Sequence, residues 1–145
     1  MKFFENRSFD DLCSLKVEEN ARFYCELEDY DQLNEIDGFL REKSIKHLVL
    51  GEGTNIVPIN NFEGLVIKNK LKGITEIDDC FVEVSSGENW NEFVKWSLSE
   101  GKKGLENLAL IPGTVGAGPV QNIGAYGSEI SKFIEEISVL IVKCL

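Results

Sequence analysis

The sequence predicts an α+β chain built as two small lobes, and three observations carry this. Between residues 21 and 67, short apolar runs with strand character enclose one segment of helical spacing. Between 74 and 100, a hairpin pattern leads into a second helical segment. From 108 to 127 the chain turns glycine-rich and carries no charged residue. The lobes are expected to span residues 1–70 and 71–145.

Residues 1–12 are mixed and poorly periodic, and read as a lead-in that packs through Phe3, Phe4 or Phe9. Ala21–Cys25 alternates well enough for a first strand. From Asp29 to Lys43, Leu33, Ile36, Phe39 and Leu40 recur at helical spacing, with Asp31 as the N-cap. His47–Leu50 forms the next strand. Leu65–Ile67, after the turn residues Asn60, Asn61 and Gly64, completes a βαββ lobe. Lys68–Lys72 holds the only local basic cluster and reads as a solvated connection. In the second lobe, Ile74–Ile77 and Phe81–Ser85 pair as a hairpin through Asp78-Asp79. Gly87-Glu-Asn opens a helix over Trp90–Glu100, and Gly101 or Gly104 stops it. Trp90 and Trp96 are read as core residues. Ser128–Lys132 reads as a turn of helix, and Phe133–Val142 as a strongly apolar strand-type run.

Two glycine stretches stand out against this frame. Gly113, Gly116, Gly118, Gly124 and Gly127 are five of the 13 glycines, joined by Pro112 and Pro119. Glycine reaches positive φ and admits close approach to the backbone, while proline fixes φ and removes a donor. Two readings fit: a buried loop whose amides face a bulky, polar-edged ligand, or a cluster of turns between strands. The second stretch, Gly51-Glu-Gly-Thr-Asn-Ile56, follows the His47–Leu50 strand, and successive amides in such a turn can form an anion-binding nest. It is not a P-loop, since no Gly-Lys-Ser/Thr follows. It is not a dinucleotide fingerprint either: Ile56 stands at the third glycine position and Pro58 opposes a helix start.

Composition narrows the choice. The 43% apolar and 28% charged content is that of a soluble globular chain. The formal charge of −10 argues against a nucleic-acid partner, because no basic stripe exists to displace counterions. A phosphorylated ligand must then be held locally, against the global field. Cys13, Cys25, Cys80 and Cys144 are widely spaced and His47 is the lone histidine, so no metal site is expected and reduced thiols in a cytoplasm are. No apolar run approaches the ~20 residues of a membrane span, and no signal-peptide h-region is present.

Taken in order, Leu50-Gly-Glu-Gly-Thr-Asn55, Gly87-Glu-Asn-Trp90, Gly104-Leu-Glu-Asn-Leu108, Ile111-Pro-Gly-Thr-Val-Gly116 and Gln121-Asn-Ile-Gly-Ala-Tyr-Gly127 closely resemble the flavin-binding part of the UDP-N-acetylenolpyruvoylglucosamine reductase family. The resemblance covers roughly residues 12–138. It implies an FAD-binding fold of the vanillyl-alcohol-oxidase type, with one FAD lying between two lobes. The pyrophosphate would rest on Gly51, Glu52, Gly53, Thr54, Asn55 and Ile56, with Asn55 bracing the turn, although its residue type equally fits an ordinary Asx turn. Ile111, Pro112, Gly113, Thr114, Gly116, Ala117 and Gly118 would wrap the ribityl and isoalloxazine. Gln121, Asn122, Gly124, Ala125 and Tyr126 would add in-plane hydrogen bonds and a wall. Family members often carry a serine where Ala117 and Gly118 stand; its loss removes one flavin contact, worth ~1 kcal/mol.

The family reaction passes hydride from NADPH through the flavin to the enolpyruvyl carbon of a UDP-sugar, in peptidoglycan precursor synthesis. Its proton-donating serine, with an assisting glutamate and arginine, lies downstream of the motifs matched here. Ser128, Ser131 and Ser138 sit in no matching context, so no catalytic residue is assigned. An unpartnered apolar run at residues 133–142 is an aggregation hazard, and the resemblance implies a C-terminally truncated chain, inactive alone. Two rivals are a non-catalytic FAD- or nucleotide-binding module, and another oxidase of the flavin superfamily. The Gln121–Gly127 run counts against the latter, as does the lack of a His or Cys for covalent flavin attachment.

Overall fold

Strand β4 (Phe62–Asn69) lies at the centre of the N-terminal unit in the computed structural model, which describes residues 1–140. It runs parallel to β2 (Asn20–Leu27) on one side and to β3 (Lys46–Leu50) on the other. A further strand, β1 (Phe4–Ser8), pairs antiparallel with the outer edge of β2, giving the order β1-β2-β4-β3. Leu65, Val66 and Ile67 are all buried, as befits a parallel strand covered on both faces.

The two faces are covered differently. Phe23, Cys25, Leu27, Leu65 and Ile67 pack against Ile36 and Leu40 of α1 (Leu33–Lys43). Tyr24, Leu50 and Val66 pack against Phe9, Leu12 and Cys13 from the β1–β2 connection. A bulge between Ala21 and Phe23 turns Ala21 to this second face, out of step with Phe23. Each fully buried Val, Leu, Ile or Phe contributes ~1.5–3 kcal/mol, so both faces matter to stability. Burial also pushes the Cys25 thiol up to about 12, leaving it inert at neutral pH.

The expected lead-in is therefore partly strand. Its periodicity is hidden because β1 is an edge strand, exposed along most of its length. Of the three anchors expected there, Phe9 is buried and Phe3 stacks on Phe39 at 4.0 Å, while Phe4 is exposed. The cap of the first helix also differs. A 3-10 turn, Tyr30–Gln32, precedes α1, and its N-cap is Asp29 rather than Asp31. The Asp29 carboxylate accepts from the Asp31 amide at 2.9 Å, and Gln32 Oε1 accepts from the Asp29 amide at 3.2 Å, which closes a capping box.

The chain divides into two compact units, the first containing Met1–Leu71 and the second Lys72–Val139. In the second, β5 (Ile74–Glu76) and β6 (Val82–Val84) form the expected hairpin. Asp78 accepts from the Cys80 and Phe81 amides at 2.7 and 2.8 Å, an Asx turn that holds its carboxyl below the usual range. Helix α2 (Trp90–Ser99) is capped by Asn89, whose side chain accepts from the Glu92 amide at 2.9 Å. Gly101, at φ +74°, ends it. Trp90 is buried and its Nε1 donates to the Leu108 carbonyl at 2.7 Å; with Phe93, Val94, Leu108, Ile123 and Ile130 it forms the core of this unit.

Residues 128–132 divide into a short strand, β8 (Ser128–Glu129), and a 3-10 turn, Ile130–Lys132. The strand expected from Phe133 to Val142 does not form over 133–140, and its last two residues lie outside the described residues. A strand is made by its ladder, and no pairing for 133–140 exists among the described residues. No described helix is long and apolar enough to cross a membrane.

The capping geometry gives a direct test. Asp29→Ala is expected to lower the stability of the chain by about 1 kcal/mol, with little change for Asp31→Ala, as measured by urea unfolding. The reverse order of effects would restore Asp31 as the cap.

Candidate functional site

The Gly51–Ile56 turn leaves the carboxyl end of β3, at the edge of a parallel sheet where open sheets of this kind place their ligands. Gly53 has φ +72° and is buried. Its carbonyl accepts from the Ser14 amide at 3.1 Å. A β-carbon added there would lie 2.0 Å from the Leu12 carbonyl oxygen and 2.8 Å from Cys13 Cα. Glycine is thus required by close packing of the turn under the Leu12–Cys13 segment. The space a side chain at 53 would fill belongs to the protein.

Gly51, Glu52 and Thr54 are half-buried beside it and Asn55 is exposed. Ile56 packs toward the Leu12 face of the sheet and borders, with Phe9, Leu48 and Phe62, an apolar recess of about 130 Å³. That volume suits a small group and falls well short of a dinucleotide. Lys68 pairs in register with Leu50, the residue before the turn, and with Glu26 on the other side. The basic cluster read as a solvated connection is therefore in part strand: Lys68 and Asn69 end β4. Lys70 is held by Glu26 at 2.6 Å, and Lys72 by the Gly87 carbonyl and Glu88 at 2.7 and 3.2 Å.

In the second unit the glycine-rich loop is laced to the segment that enters α2. Gly116 donates to the Ser86 carbonyl, Val115 to Glu88, and Trp90 to Gly113, each at 2.9 Å, with an antiparallel bridge between Asn89 and Thr114. A β-carbon on Gly116 would meet Ser86 Cβ at 2.5 Å and its carbonyl oxygen at 2.9 Å. Beyond it, Ala117–Val120 makes one turn of helix, α3, and Gly118 is buried against Ile130. The amides of Ala117 and Gly118 both donate to the Thr114 carbonyl just before this turn, that of Asn122 goes to Pro119, and that of Ile123 goes to Gly118. One of the two readings of this stretch has its amides face a ligand, and the other makes it a cluster of turns. These amides are occupied by protein carbonyls, as buried backbone must be.

Side chains are left to face outward. Thr114 is buried and Ile111, Ala117 and Ala125 are half-buried, while Pro112, Gln121, Asn122, Gly124 and Tyr126 are exposed. Gly124 and Ala125 form β7, paired with Glu129 and Ser128 of β8. Tyr126 (φ +51°) and Gly127 (φ +79°) make the tight turn between them, the positive-φ geometry of a type I′ hairpin. Tyr126 is 90% exposed at its tip. Leu110, at φ +63°, is 80% exposed, and its amide is held by Asn91 Oδ1 at 3.0 Å. Asn122 donates to Glu129 at 3.2 Å. Non-glycine residues in the left-handed region concentrate at functional sites, and Leu110, Asn122 and Tyr126 all occupy it in this one loop. No group of three or more His, Cys, Asp or Glu able to hold a metal occurs among the described residues.

The expected residues thus form two sets, 51–56 in the first unit and 111–126 in the second. Sequence reasoning missed the elements that fix them. Leu12–Cys13 lies some forty residues from Gly53 and Ser86 thirty from Gly116, and no local pattern announces such contacts. Lys68 was visible as part of a basic run, but its strand position was not.

A turn at the carboxyl edge of a parallel sheet and a glycine-rich uncharged loop thus occur in one chain. The sequence profile of the FAD binding domain family matches residues 21–142, and the chain belongs to that family. Among its relatives, the UDP-N-acetylenolpyruvoylglucosamine reductase of Paraburkholderia phymatum is 51% identical over 114 residues, covering 76% of this chain and 33% of the relative. That of Burkholderia multivorans is 42% identical over 125 residues, covering 83% and 36%. The crystal structure of UDP-N-acetylenolpyruvylglucosamine reductase from Thermus caldophilus superposes with a TM-score of 0.69 at 24% identity, over 90% of this chain and 46% of that one, a likeness of fold. The chain spans about a third of the length of the curated relatives it matches.

The donor set fits FAD. The Gly51–Thr54 turn, half-buried apart from the buried Gly53, carries backbone donors of the kind a diphosphate would use. The exposed Gln121 and Tyr126, on a loop without charge, are suited to a flavin ring. The two glycines give the test of this geometry. Gly53→Ala and Gly116→Ala are each expected to cost roughly 2–4 kcal/mol of stability, from overpacking at both sites and from positive φ at Gly53. Urea unfolding of the ligand-free chain measures this. Unchanged midpoints would show that these positions are open to solvent or ligand.

Proposed function

We propose that this chain is the FAD-holding part of a UDP-N-acetylenolpyruvoylglucosamine reductase. The single observation carrying the proposal is the 51% identity over 114 residues to a reductase of that name, within a family match that includes both glycine stretches. The Gly51–Ile56 turn is assigned to the diphosphate, through its backbone amides. Ile111–Gly118 is assigned to the ribityl chain and ring. Gln121 and Tyr126 are assigned to the ring edge and wall. Bound FAD supplies hydride transfer between NADPH and the enolpyruvyl group of the UDP-sugar.

The contribution of the residues described here is to bind and orient. Gly113, Val115 and Gly116 are clamped by three 2.9 Å backbone hydrogen bonds, so the loop is ordered before a ligand arrives and the cost of ordering it on binding falls. Tyr126 is held at a tight-turn tip by the β7–β8 pairing. Neither arrangement moves a proton. Ser128 is half-buried, and Ser131 and Ser138 are exposed. None is assigned as a proton donor, and the reductase reaction is proposed to need residues beyond those present in this chain.

Two outcomes test the reading. Titrated with FAD, the chain should quench flavin fluorescence, and Tyr126→Ala should weaken binding roughly three- to tenfold by removing an aromatic contact. No binding by the wild-type chain would overturn the assignment. Given FAD, NADPH and UDP-N-acetylglucosamine enolpyruvate, the 145-residue chain is expected to show no substrate-dependent NADPH oxidation, since a missing general acid alone forfeits ~10²–10⁴-fold. Ordinary turnover would place the proton donor within this sequence.

A further inference from the structure

The edge of the sheet beside the Gly51–Ile56 turn carries one charge that no described residue pairs with. Lys68 follows Val66 by one pleat repeat on β4, so its side chain leaves the sheet on the face of Val66, Leu50 and Tyr24. This is the face on which the Leu12–Cys13 segment covers the turn. Lys68 is half-buried, and its ammonium makes no hydrogen bond or ion pair with any described residue. Its register neighbour Glu26 is already engaged: one carboxylate oxygen accepts from Tyr24 at 2.7 Å and the other from Lys70 at 2.6 Å. Lys70 and Lys72 have their own carboxylate partners, so among the described residues Lys68 alone of the 68–72 cluster is unpaired.

Half-burying an ammonium with three donors and no partner is unfavourable unless something else fills the place. Burial lowers the Lys68 pKa, and the strongest charge opposing that effect is Glu52, in the turn itself. A nest of amides can hold a diphosphate, but in a chain of charge −10 with Glu52 inside the nest, a compensating cation is needed close by.

We propose that Lys68 is the cationic member of the diphosphate subsite, its ammonium donating to phosphoryl oxygens of a nucleoside-diphosphate-containing ligand held on the Gly51–Ile56 turn. This rests on the reading above that the turn holds the diphosphate of FAD, and adds to it the one side chain that neutralises the ligand.

The experiment compares wild type with Lys68→Met, Lys68→Gln and Lys68→Arg in titrations with FAD, ADP and riboflavin at low and high salt. Methionine preserves most of the stem volume, so the ligand-free variant should melt no lower than wild type. Lys68→Met and Lys68→Gln should weaken FAD and ADP about tenfold or more, the effect of a lost charge-assisted hydrogen bond. Riboflavin, which has no phosphate, should be unaffected. The salt dependence of FAD binding should become shallower, and Lys68→Arg should bind close to wild type. Wild-type affinity for FAD and ADP in Lys68→Met would overturn the inference and leave Lys68 as a partner balancing Glu52. Equal losses in Lys68→Met and Lys68→Arg would also overturn it, since charge would not be the cause. Failure of wild type to bind FAD or ADP at all would instead overturn the reading on which the inference rests.

Discussion

The approach of Gly53 to the Leu12 carbonyl is the constraint on which the first unit turns. The parallel sheet needs cover on both faces, and α1 supplies it on only one. The other face is covered by Phe9, Leu12 and Cys13, carried on an irregular connection between β1 and β2. That connection can close over Leu50 and Val66 only if the chain leaving β3 passes beneath it without a side chain. Gly53 permits this, and the bond from the Ser14 amide to its carbonyl locks it. Covering the core and shaping the turn are one packing event. The second unit repeats the logic at Gly116 and Ser86, where a backbone ladder rather than a core segment sets the approach. In both places glycine is first a requirement of packing, and the opposite side of the same turn is what remains for a ligand.

Electrostatics at the sheet edge follow from this placement. Lys70, then Tyr24, hold Glu26 below the usual carboxylate range, and burial with the Glu26 hydrogen bond pushes the Tyr24 phenol well above its ordinary value. Tyr24, Glu26 and Lys70 thus form a satisfied unit of fixed charge. Such a unit costs little and holds no external anion. Lys68 beside it, unpaired among the described residues, gains its significance from that contrast.

What was legible in the sequence was whatever leaves a local trace. The alternation of Ala21–Cys25, the helical spacing of Leu33, Ile36 and Leu40, the Asp78-Asp79 hairpin turn and the Gly101 stop all depend on residues a few positions apart, and all appear as expected. What was not legible depends on partners far along the chain. β1 carries no alternation because only its pairing with β2 makes it a strand. The Phe133–Val142 run has strand composition, yet over the described residues it finds no neighbour and stays irregular. Asp29 displaced Asp31 through a two-residue preference: a 3-10 turn before α1 moved the cap outward. For the candidate site, the glycine positions were legible, but the reason for them at Gly53 and Gly116 was not.

Tyr126 shows where packing stops explaining the loop. A type I′ turn favours asparagine or glycine at both central positions, and a tyrosine at φ +51° carries roughly 1–2 kcal/mol of backbone strain. The fold receives nothing for it, since the ring is 90% exposed and takes no part in the Trp90–Ile130 core. The same reasoning applies to Leu110, strained and 80% exposed at the loop's entrance. Gly113, Thr114 and Gly118 are buried and accounted for by the ladder and by Ile130. Where a loop is fully explained by its packing, its side chains need no ligand. Where strain and exposure coincide on apolar side chains, something outside the unit is required to justify both, and it is these side chains, more than the glycines between them, that support the assignment of a flavin to this loop.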